Sequence, residues 1–227
     1  IISSDGVVIG KYFKTNRSQL KYSDLPKNLV EALVATEDAR FYEHSGIDGR
    51  GTLRAVFTLG TNGGASTLTQ QLAKQLFHGE GSRFLPFRIV QKIKEWIIAI
   101  RLERQYTKNE ILAMYCNVYD FGNYSVGVSS AAQTYFSKEP KDLTVDESAI
   151  LVGMFKNSGL YNPIRNPEGV KNRRNVVLSQ MAKAKMITDA EKTRLQSLPI
   201  SLKFKLESHR EGMATYFREF LRDYMKK

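Results

Sequence analysis

Glu37-Asp38-Ala39-Arg40-Phe41-Tyr42-Glu43-His44-Ser45-Gly46 and, downstream, Gly63-Gly64-Ala65-Ser66-Thr67-Leu68-Thr69-Gln70-Gln71-Leu72-Ala73-Lys74 are the stretches around which the chain is organised. The first sets two adjacent carboxylates, an aromatic and a histidine at the end of an apolar helical pattern. The second leads a glycine pair into a helix start rich in hydroxyls and amides. Acid/base equipment beside an anion cradle predicts an enzyme acting on a phosphorylated sugar.

Upstream, Pro26 opens a helix whose Leu29, Val30, Leu33 and Val34 share one apolar face and which delivers Glu37 and Asp38 at its C-terminal end. A carboxylate there opposes the helix dipole, so its placement favours function over helix stability. In the downstream helix, Leu68, Leu72 and Leu76 fall on one arc and predict core. Thr67, Gln70, Gln71 and Lys74 fall on another, where hydroxyls, amides and a lysine can together hold a phosphate.

Composition sets the electrostatic frame. The 227 residues carry 34 Lys+Arg against 23 Asp+Glu, a net charge of +11, which attracts anionic partners: nucleic acid, an anionic membrane or a phosphate-bearing substrate. The single Cys116 excludes an internal disulfide framework and a cysteine-rich zinc site, and reads as a small buried hydrophobe. No apolar run is long enough to span a bilayer, and the chain does not begin with Met, which suggests a fragment of something longer.

Further along, Asp5-Gly6 is a weak hairpin signal, and Gly49-Arg50-Gly51 punctuates a segment whose Leu53–Phe57 reads as helix. Residues 83–90 interleave apolar and aromatic side chains with Arg83 and Arg88, a pattern that fits either a buried-core turn or contact with an anionic membrane surface. An amphipathic helix follows, with Ile89, Ile93, Trp96, Ile97 and Ile100 on one face and Glu95 opposite, near Arg88, Gln91 and Lys92. Seven Lys/Arg against three Glu between residues 74 and 104 make this an electropositive setting. Capping boxes at Thr107, Thr144 and Thr188 mark three helix starts, and helices are also predicted over 127–136 and 169–185. Residues 117–124 read as a polar, aromatic loop, and 201–206 alternate like a strand. The fold class is mostly α, with a minor β element near the N-terminus.

These residues also carry a family resemblance. Glu37-Asp38-x-x-Phe41-x-x-His44-x-Gly46, Gly64–Lys74, Lys92-Ile93-Lys94-Glu95 and Ile111-Leu112-x-x-Tyr115-x-Asn117-x-x-x-Phe121-Gly122 resemble, in order, motifs of the peptidoglycan glycosyltransferases. These form the polymerising domain of class A penicillin-binding proteins and the monofunctional transglycosylases. The resemblance implies a lysozyme-like helical head with a smaller, membrane-contacting jaw at about residues 75–110. It places a glycosyltransferase domain over residues 1–200 and a linker toward a transpeptidase domain over 201–227. The implied substrate is lipid II, converted to a β-1,4-linked glycan strand with release of undecaprenyl diphosphate.

By motif position Glu37 would be the general base. Glu95 would act at the donor's diphosphate, directly or through a divalent cation such as Mg or Mn. Ser66, Thr67, Gln70, Gln71, Lys74, Lys92, Tyr115 and Asn117 would bind sugar and diphosphate, with Phe41 and His44 shaping the wall beside Glu37. Gln91 stands where the family often has a basic residue, so one diphosphate contact is missing or moves to Arg88 or Arg83. Met154–Ser158 also departs from the family's usual run.

Implied partners are the growing glycan strand, the membrane surface through residues 84–90, moenomycin-type inhibitors and other cell-wall synthesis proteins. No nucleic acid is expected. The implied location is the outer face of the bacterial cytoplasmic membrane, held by an N-terminal anchor. Rival readings are a lysozyme-like muramidase, which has no need of a diphosphate cradle, and a non-enzymatic basic module binding membrane or nucleic acid.

Overall fold

A computed structural model describes residues 4, 16–17, 19–57, 66–77, 85–206, 216, 220 and 224. The Asp5-Gly6 hairpin signal, the Gly63-Gly64 pair, Arg83, Phe84 and most of the 207–227 tail lie outside the described residues. The elements in order are β1 (Asn16–Arg17), α1 (Lys27–Glu37), α2 (Gly49–Phe57), α3 (Leu68–Phe77), α4 (Leu85–Gln105) and α5 (Lys108–Val118). After these come β2 (Ser125–Val126), α6 (Val128–Phe136), α7 (Val145–Met154), α8 (Pro167–Lys183) and α9 (Asp189–Ser197). The architecture is mostly α, as the periodicities predict.

The core forms where apolar faces meet. α1 buries Leu29, Val30, Leu33 and Val34, as expected, and lies on α7 and α8; α7 is buried from Ser148 through Met154. α3 packs on α4 and α5, with Leu68 and Leu72 inside. Leu76 departs from its predicted column: at 42% exposure it has run past the edge of the core. The strands pair in parallel, Asn16 opposite Ser125 and Arg17 opposite Val126. Thr107 and Thr144 form reciprocal capping boxes with Glu110 and Glu147. Thr188 is a simpler cap, its side chain accepting from the Glu191 N–H.

Three local expectations change in three dimensions. Gly49 and Gly51 do not break the chain; they form the first turn of α2, with the Gly51 N–H donating to Asp48 Oδ1 at 3.0 Å. Residues 201–206 form no strand. Their Lys203 and Lys205 N–H groups donate to the Tyr135 and Thr134 carbonyls at 3.0 and 2.8 Å, the acceptors left over in the last turn of α6.

α4 is inverted relative to the expected polarity. Glu95, Ala99 and Leu102 form its buried stripe, whereas Phe87, Ile89, Val90, Ile93 and Ile97 lie about half exposed along the other side. A helix that turns a glutamate inward and isoleucines outward has been arranged for something other than core burial.

Candidate active site

Glu37 is the last residue of α1, and the chain leaves the helix at Asp38 with φ −157° and ψ 74°. That break sends the two carboxylates different ways. Glu37 keeps its helical direction and lines a cleft of about 110 Å³ with Asp38, Ala39, Arg40, Asp48, Arg54, Ser66 and Thr67. Asp38 turns inward and is buried. Its carboxylate accepts the Leu68 N–H at the start of α3 at 3.0 Å and faces His44 Nε2 at 3.0 and 3.1 Å. An anion at a helix N-terminus is stabilised by the unpaired amides and the dipole. The pair at 37 and 38 is therefore divided into one cleft group and one structural anchor.

Both Glu37 oxygens are engaged. Oε2 accepts from Gln71 Nε2 at 3.2 Å, and Oε1 from Arg173 Nη2 on α8 at 3.2 Å. Gln71 is itself oriented by the Tyr115 hydroxyl, which donates to its Oε1 at 2.8 Å. Burial of the Tyr115 ring, with the Glu37 charge adding to it, pushes that phenol well above its ordinary value, so it stays a donor. The sequence reading missed Arg173. Its only signal was an Arg173-Arg174 pair inside a helix whose buried register (Val170, Arg174, Val177, Leu178, Met181) already includes an arginine. Arg174 meets Asp146 at 3.0 Å and the Leu198 carbonyl at 2.9 Å, a structural commitment; Arg173 faces the cleft group.

Ser66 and Thr67, just before α3, contribute to the same lining, and α4 reaches it through Lys92. Ser66 receives the Lys92 ammonium at 3.0 Å, and the same ammonium pairs with Glu95 at 2.9 Å. The electropositive helix thus reaches the cleft through one hydroxyl. Thr67 and Gln70 are buried and spend their donors on the loop: Thr67 Oγ1 and Gln70 Nε2 donate to the Gly46 carbonyl at 2.7 and 3.2 Å. Lys74 is exposed on α3, one turn beyond Gln70 and Gln71.

Phe41 is fully buried beneath the Lys108 ammonium, 4.3 Å from the ring centroid. Lys108 also donates to the His44 carbonyl at 2.6 Å and to Glu103 at 2.8 Å, and the Thr69 hydroxyl donates to Glu103 at 2.6 Å. Phe41, His44, Thr67, Gln70 and Tyr115 thus all make contacts with neighbouring groups of the protein around the cleft. Asn117 lies in the last turn of α5, not in a loop, and clamps Leu20, accepting its N–H at 2.9 Å and donating to its carbonyl at 2.8 Å. Arg88 is exposed on α4.

The cleft is flanked by an Arg40–Asp48 ion pair. Burial pulls the Asp48 carboxyl upward, but the Gly51 N–H and the Arg40 guanidinium outweigh it and hold the group below its usual range. Arg40 and Asp48 also border a second cleft of about 340 Å³, with Glu43, His44, Gly49 and Arg50. Among the described residues, no cluster of three or more His, Cys, Asp or Glu is placed to hold a metal, and no helix is long and apolar enough to cross a membrane. Glu95 with Lys92 beside it offers a hard cation one carboxylate, so most of the ion's oxygens would have to come from a phosphate-bearing ligand and water.

Comparison with known proteins supplies the context. A family model described as Transglycosylase matches residues 5–182. The chain is 41% identical to penicillin-binding protein 1A of Vibrio cholerae over 99% of its length and 27% of the relative's. It is 38% identical to penicillin-binding protein 1F of Bacillus subtilis over 95% of its length and 30% of that protein's. The crystal structure of penicillin-binding protein 1A from Haemophilus influenzae superposes with a TM-score of 0.54 at 28% identity, covering 99% of this chain and 23% of that one. The chain thus spans less than a third of the length of the curated relatives it matches.

Proposed function

The chain belongs to the transglycosylase family, and on that premise we propose that it is a peptidoglycan glycosyltransferase that polymerises lipid II into β-1,4-linked glycan strands. Glu37 takes the proton from the acceptor's 4-hydroxyl as that oxygen attacks the donor's anomeric carbon. The bond to the lipid diphosphate breaks on the opposite face, so the configuration inverts and undecaprenyl diphosphate leaves. Ser66, Lys92 and Glu95 line the donor side, and Lys74 with Arg88 supplies positive charge for the diphosphate. Preorganised charge of this kind is commonly the largest catalytic contribution. Glu95 would help hold a divalent cation, Mg or Mn, which would supply positive charge for the leaving diphosphate.

The single observation that carries this reading is the Glu37 carboxylate, fixed by Gln71 and Arg173 in a cleft whose lining includes Ser66 bonded to Lys92. A hydrolase has no use for that link to a cation. The exposed stripe Phe87, Ile89, Val90, Ile93 and Ile97 supports contact between α4 and the membrane that carries the substrate. The protein would accordingly work on the outer face of the cytoplasmic membrane, where moenomycin-type inhibitors would compete for the donor side.

The test is incubation of the chain in detergent with labelled lipid II and, separately, with finished glycan strands. Polymer is expected from lipid II, and Glu37→Gln should reduce its formation at least about a hundredfold, the range for loss of a positioned base. Shortened strands and no polymer would instead identify a muramidase.

A further inference from the structure

Glu37 is held from two sides, but the two holders differ in kind. Gln71 is neutral and comes from α3; Arg173 is a cation and comes from α8, 136 residues away in sequence. The Glu37 and Arg173 side chains are only 14% and 12% exposed, so water screens their attraction poorly.

Arg173 is also prepared for this one contact. A Cβ on Gly153 would stand 3.0 Å from its Cγ, a tight contact, so the glycine in α7 leaves room for the side chain to reach α1. Its Nε donates to the Gly153 carbonyl at 3.5 Å, and its guanidinium lies 5.9 Å from the Tyr161 ring centroid. A backbone acceptor, an aromatic ring and a missing methyl fix one long side chain, which limits the entropy lost in presenting it.

We propose that Arg173 is the positioning residue of the general base, orienting the Glu37 carboxylate and offsetting its charge in the resting site. The proposal rests on the reading of Glu37 as base. In the resting site the guanidinium pairs with the anionic carboxylate and turns it toward the cleft. As the acceptor's O–H bond breaks, its proton goes to Glu37 and its electron pair forms the bond to the anomeric carbon. The bond to the diphosphate breaks in the same step, and the leaving group carries that electron pair away. Negative charge therefore moves off Glu37 toward the acceptor oxygen and then the diphosphate, while Arg173 remains as a fixed positive charge beside the reacting groups. A neutral partner could aim the carboxylate but would not offset its charge in the resting site.

The experiment compares wild type, Arg173→Met, Arg173→Lys and Arg173→Ala, the last with and without added guanidinium ion, in steady-state lipid II polymerisation. Methionine keeps apolar bulk beside Tyr161 and Gly153, and thermal unfolding checks that each variant is folded. The methionine variant should lose about a hundredfold in kcat, the scale for misplacing a catalytic group, with KM changed less than about threefold. Lysine should restore activity only in part, because a point charge cannot reproduce the planar fork. Guanidinium should recover activity in Arg173→Ala and should recover none when Glu37→Gln is added.

A folded methionine variant with wild-type kcat overturns the proposal, as does a loss confined to KM, which would make Arg173 a substrate ligand. Absence of rescue in a folded alanine variant also counts against it. If wild type itself makes no polymer, the glycosyltransferase reading fails first and takes this inference with it.

Discussion

Replacing Gly46 with alanine tests whether the cleft depends on one point of contact between the loop after α1 and the backbone of α4. Gly46 has φ +90°, and a Cβ there would stand 2.9 Å from both the carbonyl carbon and oxygen of Ala99 and 3.1 Å from the Ile100 nitrogen. Those are backbone atoms in the middle of a 21-residue helix, so nothing can rotate out of the way. A left-handed backbone costs an L-residue about 1–2 kcal/mol. Overpacking against a rigid neighbour adds about 1–3 kcal/mol. The smaller conformational freedom of alanine in the unfolded chain returns about 0.4–1 kcal/mol. The expected destabilisation is therefore about 1–5 kcal/mol, or roughly 2–20 °C in Tm for a domain of this size.

The damage should reach function as well, because the Gly46 carbonyl is where Thr67 and Gln70 attach the start of α3 to the same loop. Urea unfolding followed by the fluorescence of Trp96, the single tryptophan, one turn before Ala99 on α4, reads the contact directly. An unfolding free energy within about 0.5 kcal/mol of wild type, the ordinary scatter of surface substitutions, would refute the reasoning.

Two further outcomes follow from the electrostatics. Cys116 is fully buried and its thiol is pushed up to about 12 by that burial. Iodoacetamide at mildly alkaline pH should therefore leave it unlabelled until urea unfolds the chain, and rapid native labelling would contradict the packing of α5. Asp48 is held below its ordinary range despite burial, so its contribution to stability is complete above the unfolded carboxylate value near about 4 and drains away as pH falls toward the folded value. Arg40→Met should accordingly lower the urea midpoint at neutral pH, with the gap to wild type closing as the pH is taken below about 4; a gap that widens on acidification has the wrong sign.

How much could be read in one dimension depended on how local the physics was. The caps at Thr107 and Thr144 are settled within four residues by a hydroxyl and a glutamate, and both form as expected. The apolar face of α1 follows from a 3.6-residue period and delivers Glu37 where that period ends. Arg173 was invisible because nothing local joins positions 37 and 173; only the packing of α1 on α8 does. The polarity of α4 misled for a different reason. Periodicity reports that isoleucines share a face but not whether that face meets protein or something outside it, and here the inward stripe is the one carrying Glu95. The sequence shows Thr67 and Gln70 as polar but not that their donors meet the Gly46 carbonyl, because those contacts span 21 and 24 residues.

The division of labour between Glu37 and Asp38 leads to a last, opposed pair of outcomes. Glu37 ends α1, where its negative charge faces the negative end of the helix dipole, and its compensation is the Arg173 pair. Glu37→Gln removes the pair and the dipole conflict together, so the two effects offset and stability should change little while turnover is lost. Asp38 stands at the positive end of α3, buried, accepting the Leu68 N–H with His44 on its other side. Asp38→Asn keeps the shape but removes the charge that the helix start and the histidine both face. It should therefore cost about 1–2 kcal/mol, as for a favourable, partly buried charge at a helix end. Activity should fall with it, because Ser66 and Gln71 flank the helix start that Asp38 holds. Unfolding curves of the two variants side by side decide the matter: if the asparagine variant is as stable as wild type, Asp38 is not what anchors α3, and the placement of Ser66 needs another cause.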